Sequence, residues 1–316
     1  MDVVIVGGGP AGLSAALVLG RSRRHVLICD EGKPRNRRSR GVNGFLSRDG
    51  IAPDKLRAVC HDELRAYPSL VFRNTRVVDI VPHTGSFTVE LADRSTVSCR
   101  KVLLATGLEV ELPHIQGMEE LYGRGAYDCP YCDGWEASDG AIAIYGSGAK
   151  GKDLALELLG WSDDVTLFTG GAPLSQEHRD ELRRFKIGVC TDSIKALHPA
   201  EDGISIQMLE GKRWPKKALF FISEGREVSP LVKKLGCNLT ERGVVSTGAN
   251  ECTNVPGVYV AGDASRRVSF AIVAAAEGAL AAFAINQELL EEDRSLTTRQ
   301  AAPPRNVSNR TGIGAG

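Results

Sequence analysis

Two cysteines three residues apart, Cys129 and Cys132, are the side chains of this sequence best suited to redox chemistry. Residues at this spacing are neighbours on a helical turn, with Cα atoms within the ~4.4–6.8 Å that a disulfide requires. Thiol–disulfide exchange needs a thiolate, and a Cys-x-x-Cys pair at a helix start commonly has one sulfur with a lowered pKa. The spacing therefore predicts a bridge that opens and closes with little backbone motion.

Asp133 follows the second cysteine directly and can give a proton to a leaving thiolate or take one from an attacking thiol. The competing interpretations are half of a zinc site and two incidental core thiols. Zinc would require a second cysteine pair or closely spaced histidines, and the six histidines are dispersed along the chain. We therefore predict a redox pair with Asp133 as its acid–base group, and no metal.

A dinucleotide-binding motif opens the chain, which reads as a buried parallel strand, a glycine turn and an apolar helix. Gly7 permits the tight turn, Gly9 lets the backbone approach a pyrophosphate, and Gly12 packs the helix on the strand. Pro10 and Ala11 complete the turn. The N-terminus of the helix is then expected to hold the diphosphate.

An acidic residue, Asp30, ends the second predicted strand, where a side chain must accept hydrogen bonds from an adenosine ribose. Strand, turn, helix and terminal acid together make an ordinary strand-to-helix turn the weaker interpretation. The same arrangement recurs over residues 141–151, with glycines at Gly146, Gly148 and Gly151. Two dinucleotide folds therefore lie in tandem.

Two further segments, residues 101–107 and 254–263, each read as a hydrophobic strand that ends in a glycine turn. Each strand end can approach the first nucleotide. If both strands belong to the first fold, the second domain is inserted within it. The linkers would then lie near residues 109–113 and 223–230, where prolines and charges are found.

We therefore predict an α/β protein of two Rossmann-like dinucleotide-binding domains, of three-layer ββα/βαβ type, the second inserted in the first. The first domain is expected to comprise residues 1–110 and 225–292, and the second, which carries the cysteine pair, residues 113–222. A helix over residues 270–290 is predicted to pack against the first nucleotide site. Residues 293–316 are expected to form a disordered tail.

Composition favours small-molecule or protein partners. The 316 residues include 42% hydrophobic and 25% charged side chains with no formal net charge, so no field attracts nucleic acid or an anionic membrane. We find no run of about 18 apolar residues, and the first strand begins too close to Met1 for a signal peptide. We expect a cytoplasmic protein. The six remaining cysteines are predicted to be buried free thiols: Cys29, Cys60, Cys99, Cys190, Cys237 and Cys252.

The motifs, taken in order, resemble those of the low-molecular-weight thioredoxin reductase family of flavoproteins, over roughly residues 1–290. They are Gly-Gly-Gly-Pro-Ala-Gly12, Ala-Thr-Gly107, Cys129-Pro-Tyr-Cys132-Asp133-Gly134, Gly146-Ser-Gly-Ala-Lys-Gly151 and Gly262-Asp263. The dithiol lies between the Ala-Thr-Gly strand and the second nucleotide fold. That position distinguishes this family from glutathione-reductase-like enzymes, whose cysteines lie in the FAD domain.

The resemblance implies a bound FAD in the first domain, with Cys132 facing the flavin and Cys129 attacking a substrate disulfide. It also implies a homodimer that acts on a thioredoxin-like protein or a small disulfide or dithiol. Asp263 would meet the ribityl and pyrophosphate region. The residues predicted to hold FAD are Gly7, Gly9, Pro10, Ala11, Gly12, Asp30, Ala105, Thr106, Gly107, Gly262 and Asp263. Those predicted to line the second dinucleotide site are Gly146, Gly148, Lys150 and Gly151.

The version of the dithiol motif that continues into Trp135 and Glu136 is similar to a branch that includes fungal dithiol oxidases and divergent bacterial reductase-like proteins. The Arg35-Asn36 and Asp49-Gly50 segments are similar to the same branch. For Trp135 the default prediction is a packing role, and for Glu136 a solvated side chain.

The second nucleotide site departs from the family pattern. In NADPH-dependent members a His-Arg-Arg stretch and a further Arg grip the 2′-phosphate, whereas here the strand over residues 165–168 runs into Thr169-Gly170-Gly171. No acidic residue stands there for the 2′-hydroxyl of NADH either. Ser269-Phe270-Ala271 replaces the Arg-Gln that precedes the C-terminal helix in the family.

We therefore predict that NADPH and NADH reduce the flavin poorly, and that the second fold is vestigial or holds another dinucleotide, such as a second FAD. Lys150 and Lys152 can place positive charge beside a pyrophosphate. Arg179, Arg183 and Arg184 would replace the missing clamp only if their helix folds back, and a solvated helix face is the simpler interpretation.

Three functions remain as alternatives. The first is electron exchange between FAD and a substrate disulfide through the cysteine pair. The second runs the chemistry in reverse, oxidising a small dithiol and passing the electrons to oxygen. The third is a non-catalytic flavin- or nucleotide-binding module, since a fold alone does not establish function. The third predicts that replacing either cysteine changes no measurable property.

Overall fold

The computed structural model of the chain describes residues 1–223, 226–265 and 268–301. The strands are β1 (Val3–Val6), β2 (Val26–Asp30), β3 (Leu70–Asn74), β4 (Val77–His83), β5 (Ser86–Leu91), β6 (Thr96–Cys99), β7 (Lys101–Leu104), β8 (Leu108–Val110), β9 (Ala126–Tyr127), β10 (Ile142–Tyr145), β11 (Val165–Phe168), β12 (Gly188–Cys190), β13 (Ile194–Ala200), β14 (Gly203–Met208), β15 (Arg213–Lys216), β16 (Ala218–Phe221), β17 (Arg226–Val228) and β18 (Val258–Val260). The helices are α1 (Pro10–Arg21), α2 (Pro53–Leu64), α3 (Met118–Leu121), α4 (Pro130–Asp133), α5 (Gly148–Glu157), α6 (Gln176–Arg184), α7 (Pro230–Lys234) and α8 (Ala271–Ala301).

The first domain has three layers around a parallel sheet of order β18-β7-β1-β2-β3. Because both faces of this sheet are covered, strands β1 and β7 are buried along their whole length. Helices α1 and α8 pack on one face. The antiparallel sheet β4-β5-β6 packs on the other, where its alternating apolar residues complete the core.

The second domain repeats this construction. Its parallel strands have the order β12-β11-β10-β16-β9. The antiparallel sheet β13-β14-β15 covers one face, and α5 and α6 lie on the other. The predicted fold class, two Rossmann-like domains of the α/β type, is therefore confirmed.

The second domain is inserted between β7 and β18 of the first. Strands β8 and β17, which lie at the two joins, pair with each other as an antiparallel ribbon. The linkers predicted from prolines and charges are thus partly regular structure, because pairing satisfies the backbone groups of both segments at once. Gly225, where the sequence places the return to the first domain, lies outside the described residues.

Helix α8 extends beyond its predicted end and continues to Ala301, so the expectation of disorder from residue 293 is wrong for residues 293–301. Ion pairs from Arg24, Arg100 and Lys101 to acidic residues near the end of α8 hold this part of the helix on the first domain. The remainder of the predicted tail, residues 302–316, lies outside the described residues.

By length and composition alone, the segment Ala271–Leu296 of α8 would qualify as a membrane span. Its buried face instead packs against α1. At Gly278 the two helices approach so closely that a Cβ atom would lie 2.0 Å from the carbonyl oxygen of Ala11. We therefore assign α8 to the core of the first domain.

Candidate functional site

Cys129 and Cys132 form a disulfide with their Cα atoms 5.3 Å apart. Cys129 is the N-cap of the one-turn helix α4, and Pro130 occupies the first helical position, where a missing N–H costs nothing. The backbone N–H of Cys132 donates to the Cys129 Sγ at 3.1 Å. The helical turn predicted from the spacing is therefore present, and its N–H favours negative charge on Cys129 once the bridge is reduced.

Asp133 lies half-buried directly after the bridge. Burial, followed by the negative charges of Glu136 and Asp128, raises the pKa of Asp133 to about 7, although Arg35 opposes the shift. An ordinary aspartate is fully ionised at this pH. Asp133 can therefore release and accept protons near neutrality, as its predicted role requires.

The residues around the bridge explain the glycine of the motif and correct one prediction. A Cβ at Gly134 would lie 2.5 Å from the Pro130 carbonyl oxygen and 2.9 Å from the Trp161 ring, so only glycine fits there. Trp135 is 79% exposed, and the default prediction of a packing role is wrong. Its side chain points away from the core because α4 is followed at once by a 3-10 turn that directs Ala137, not Trp135, inward. Tyr131 is also exposed and contacts the Trp161 ring.

A cation connects the dithiol turn to the first domain. Arg35 lies in a short 3-10 helix after β2, and its Nη1 donates to Asp128 Oδ2 at 3.1 Å. Its Nη2 donates to Asp263 Oδ2 at the same distance. Burial disfavours the charged guanidinium, but Asp128 and Asp263 more than offset this and raise the pKa of Arg35.

The first nucleotide turn has the geometry that its sequence predicts. Gly7 has a φ of +110°, and a Cβ there would lie 2.2 Å from the Ala105 carbonyl oxygen. A Cβ at Gly12 would lie 2.0 Å from the Gly7 carbonyl oxygen. Gly9 has no such neighbour, so its missing Cβ leaves open space over the start of α1, which Pro10 and Ala11 begin.

Asp30 lies at the carboxyl end of β2, beside the glycine turn. A Cβ at Gly8 would lie 2.6 Å from its carboxylate, which places the acid over the turn and makes Gly8 a site residue that the prediction omitted. Arg57 of α2 forms an ion pair with Asp30. Nothing in the local sequence indicates that pairing, because the two residues meet only when α2 packs beside the sheet.

The remaining predicted FAD residues gather around the same turn. The carboxyl end of β7 brings Ala105, Thr106 and Gly107 against Gly7, and the Thr106 hydroxyl is buried with no hydrogen-bond partner among the described residues. Gly262 contacts the start of α1, and its N–H donates to the buried Glu277 at 2.8 Å. An orphaned buried hydroxyl, an open glycine and converging acids fit a dinucleotide with a diphosphate and polyol.

The second glycine turn is also formed. Gly146, Gly148 and Gly151 lead from β10 into α5, and a Cβ at Gly151 would lie 2.7 Å from the Gly146 carbonyl carbon. Lys150 is exposed. The Lys152 ammonium, by contrast, pairs with Glu181 at 2.9 Å and with Asp153 at 3.0 Å.

The carboxyl end of β11, where the sequence lacks a cation clamp, is filled by an aromatic side chain. A Cβ at Gly170 would lie 2.9 Å from the Tyr145 hydroxyl oxygen, so the Tyr145 ring reaches from β10 across to the end of β11. Arg179 and Arg183 line a groove with Gly188, at the start of β12, whereas ligands of such sheets bind at the carboxyl ends of strands. Their helix is therefore not folded back over the predicted site.

Comparison with known proteins agrees with this geometry. The family model described as pyridine nucleotide-disulphide oxidoreductase matches residues 1–278. This chain belongs to that family. It is a thioredoxin reductase-like, flavin-dependent disulfide oxidoreductase, and its family implies FAD as cofactor.

Several relatives place this pyridine nucleotide-disulphide oxidoreductase more closely. It is 29% identical over 300 residues to a protein of Arthroderma benhamiae named "Probable thioredoxin reductase", covering 84% of this chain and 74% of that one. It is 27% identical to an alkyl hydroperoxide reductase polypeptide of Staphylococcus aureus, covering 89% of this chain but only 58% of that one. The crystal structure of HlmI superposes with a TM-score of 0.91 at 35% identity, covering 95% and 96% of the two chains.

Four of the six other cysteines of this pyridine nucleotide-disulphide oxidoreductase are buried free thiols, as predicted. Cys60 and Cys252 are free but only half-buried. Burial raises the pKa of Cys29 to about 11 and that of Cys99 to about 12, so both stay protonated and unreactive near neutrality. The reactive sulfurs of the chain are therefore those of the bridge.

Proposed function

We propose that this enzyme exchanges electrons between FAD and a substrate disulfide or dithiol through Cys129 and Cys132. The observation that carries the proposal is the bridge itself, in a half-buried turn followed by an aspartate with a pKa of about 7. An anaerobic titration with candidate dithiols and reductants, followed through the flavin spectrum, tests it. A flavin spectrum that responds to no thiol or disulfide would refute it.

FAD, when bound, supplies a two-electron donor or acceptor next to the dithiol. The predicted residues of the first turn would hold its diphosphate over the start of α1, with Gly9 leaving the necessary space. Asp30 would accept from the adenosine ribose, Thr106 would gain a partner for its buried hydroxyl, and Asp263 would meet the ribityl chain.

In the reducing direction, the Cys129 thiolate attacks a substrate disulfide, which forms a mixed disulfide and releases one substrate sulfur as a thiolate. The Cys132 thiolate then attacks Cys129 Sγ, which restores the Cys129–Cys132 bond and releases the second substrate thiolate. Two electrons thus pass from the dithiol to the substrate, and Asp133 supplies a proton to a departing sulfur. Oxidation of a substrate dithiol follows the same steps in reverse.

The pH dependence of the reaction should report Asp133. We expect oxidation of a substrate dithiol to accelerate as the pH rises through about 7, because the ionised carboxylate accepts the thiol proton. Reduction of a disulfide should slow over the same interval, because the protonated carboxyl is lost. Asp133→Asn should remove this inflection from both pH–rate profiles and lower the rate by about 10²–10⁴-fold.

Glu136→Gln is the matched comparison, since the exposed Glu136 raises the pKa of Asp133 only through its charge. This variant should keep the inflection and move it to lower pH. An inflection near pH 7 that persists in Asp133→Asn would assign the titration to another group.

Two glycine substitutions should separate FAD binding from folding. Gly9→Ala places a methyl group in open space, so the apoprotein should keep its thermal stability while its flavin content falls after reconstitution with excess FAD. Gly12→Ala drives a Cβ onto the Gly7 carbonyl oxygen and should destabilise the fold itself. Melting curves of the apoproteins and flavin absorbance at fixed protein concentration measure both effects, and full flavin content in Gly9→Ala would exclude this site.

A second candidate function is the oxidation of a small dithiol with oxygen as the final electron acceptor and hydrogen peroxide as the reduced product. The uncharged carboxyl end of β11 favours it, since the usual determinants of a nicotinamide donor are missing there. Oxygen consumption during thiol oxidation without any protein acceptor would support this function, and its absence would leave a thioredoxin-like protein or a small disulfide as the substrate. Six free cysteines suit a reducing compartment such as the cytoplasm.

A homodimer is the assembly that the family resemblance favours. Helix α8 carries a stripe of exposed apolar side chains, Ile272, Leu280 and Phe283, on one face. Burial of this stripe by a second copy should give a light-scattering mass of twice 33.9 kDa. Phe283→Asp should convert the dimer to monomer, and a monomeric native protein would contradict the assignment.

A further inference from the structure

The loop that follows β2 in the first domain contacts the dithiol turn at two points. The first is the ion pair between Arg35 and Asp128, the residue directly before Cys129. The Asp128 side chain is only 9% exposed and also accepts a hydrogen bond from the Tyr122 hydroxyl at 3.2 Å. A charge buried to this extent depends on its partner, so the ion pair restrains the backbone on which Cys129 begins.

The second contact lies on the other side of the bridge. The side-chain amide of Asn43 donates to the Cys132 carbonyl oxygen at 2.8 Å. A helix of one turn leaves its last carbonyl groups without partners inside the helix, and Asn43 supplies one from the first domain. The dithiol turn is therefore attached before its first cysteine and at its second.

Arg35 also connects this attachment to the predicted FAD site, because its other nitrogen donates to Asp263. A planar guanidinium can donate to two carboxylates at once in fixed directions, which a flexible ammonium cannot reproduce. One side chain thus sets the position of the turn that carries the dithiol relative to the loop assigned to the ribityl chain.

We propose that Arg35 and Asn43 are positioning residues that clamp the Cys129–Cys132 turn against the first domain and hold Cys132 beside the flavin. The inference rests on the proposed function. Neither side chain exchanges electrons or protons with the sulfurs; both fix where the sulfurs lie. Displacement of a reacting group by about 1 Å can cost on the order of a hundredfold in rate, so the clamp affects electron transfer without changing its chemistry.

The test compares Arg35→Met and Asn43→Ala with the matched control Arg37→Met, which replaces an exposed arginine two residues away. The bridge of the FAD-loaded protein is reduced with a phosphine, and alkylation of each cysteine by iodoacetamide is followed by peptide mass spectrometry. Loss of the clamp should speed alkylation of Cys132 by about tenfold or more, because the sulfur no longer stays against the flavin. The control should match the wild type.

A double variant, Arg35→Met with Asp128→Asn, guards against misfolding because it leaves no uncompensated buried charge. Rapid alkylation of Cys132 in this folded variant, together with slower flavin reduction by the same dithiol, supports the clamp. Wild-type alkylation rates in both it and Asn43→Ala would overturn the proposal. If the variants alter alkylation while no wild-type dithiol reduces the flavin, the proposed function fails and the clamp stands.

Discussion

Replacing Cys132 with serine is expected to lower disulfide–flavin electron exchange by on the order of 10³-fold or more, as removal of one member of a catalytic unit does in other enzymes. The remaining Cys129 can still attack a substrate disulfide but has no neighbouring thiolate to resolve the product. The variant should therefore accumulate a mixed disulfide between Cys129 and the substrate, which intact-protein mass spectrometry detects as an added substrate mass.

Cys129→Ser should be equally inactive but should not trap substrate, because the sulfur assigned to the attack is missing. Cys252→Ser serves as control, since that half-buried thiol is not part of the bridge. If Cys132→Ser alone keeps wild-type coupling to the flavin, the assignment of Cys132 as the inner sulfur is wrong. If both bridge variants behave as the wild type does, the chain is a flavin-binding module.

Micromolar NADPH or NADH is expected to leave the flavin oxidised under anaerobic conditions. In the NADPH-dependent members that this chain resembles, cations grip the 2′-phosphate, and each charge-assisted hydrogen bond contributes about 1.5–3 kcal/mol. The absence of two such bonds weakens binding by on the order of 10²–10⁴-fold. Here Thr169, Gly170 and Gly171 follow β11, and the Tyr145 ring lies against Gly170.

The backbone makes this loss difficult to reverse by a single substitution. Gly170 and Gly171 both have positive φ, at +62° and +89°, so an arginine at either position would be strained. Stopped-flow spectroscopy with NADPH, NADH and a dithiol at equal concentrations makes the comparison. Rapid stoichiometric bleaching by NADPH would contradict the prediction, and one released flavin per chain would exclude a second FAD in this domain.

Local patterns in the sequence determined the elements and the chemistry of this protein. Gly7, Gly12 and Gly151 occupy turns where a side chain would collide with backbone within one short segment or its neighbouring strand, so their spacing alone identifies both nucleotide folds. The Cys129–Cys132 spacing specified a bridge for the same reason, because the geometry of a single helical turn decides it. Contacts of this kind depend on few residues of separation and can be read without a tertiary structure.

Only the tertiary structure decided how the two domains cooperate. The pairing of Arg35 with Asp128 and Asp263 joins residues far apart in the chain, and neither its distances nor its burial follows from any periodic pattern. The contact of Asn43 with Cys132, the exposure of Trp135 and the continuation of α8 past residue 293 have the same origin. The pKa of Asp133 rises to about 7 because folding removes water and gathers charges around it, and both effects arise from packing in three dimensions.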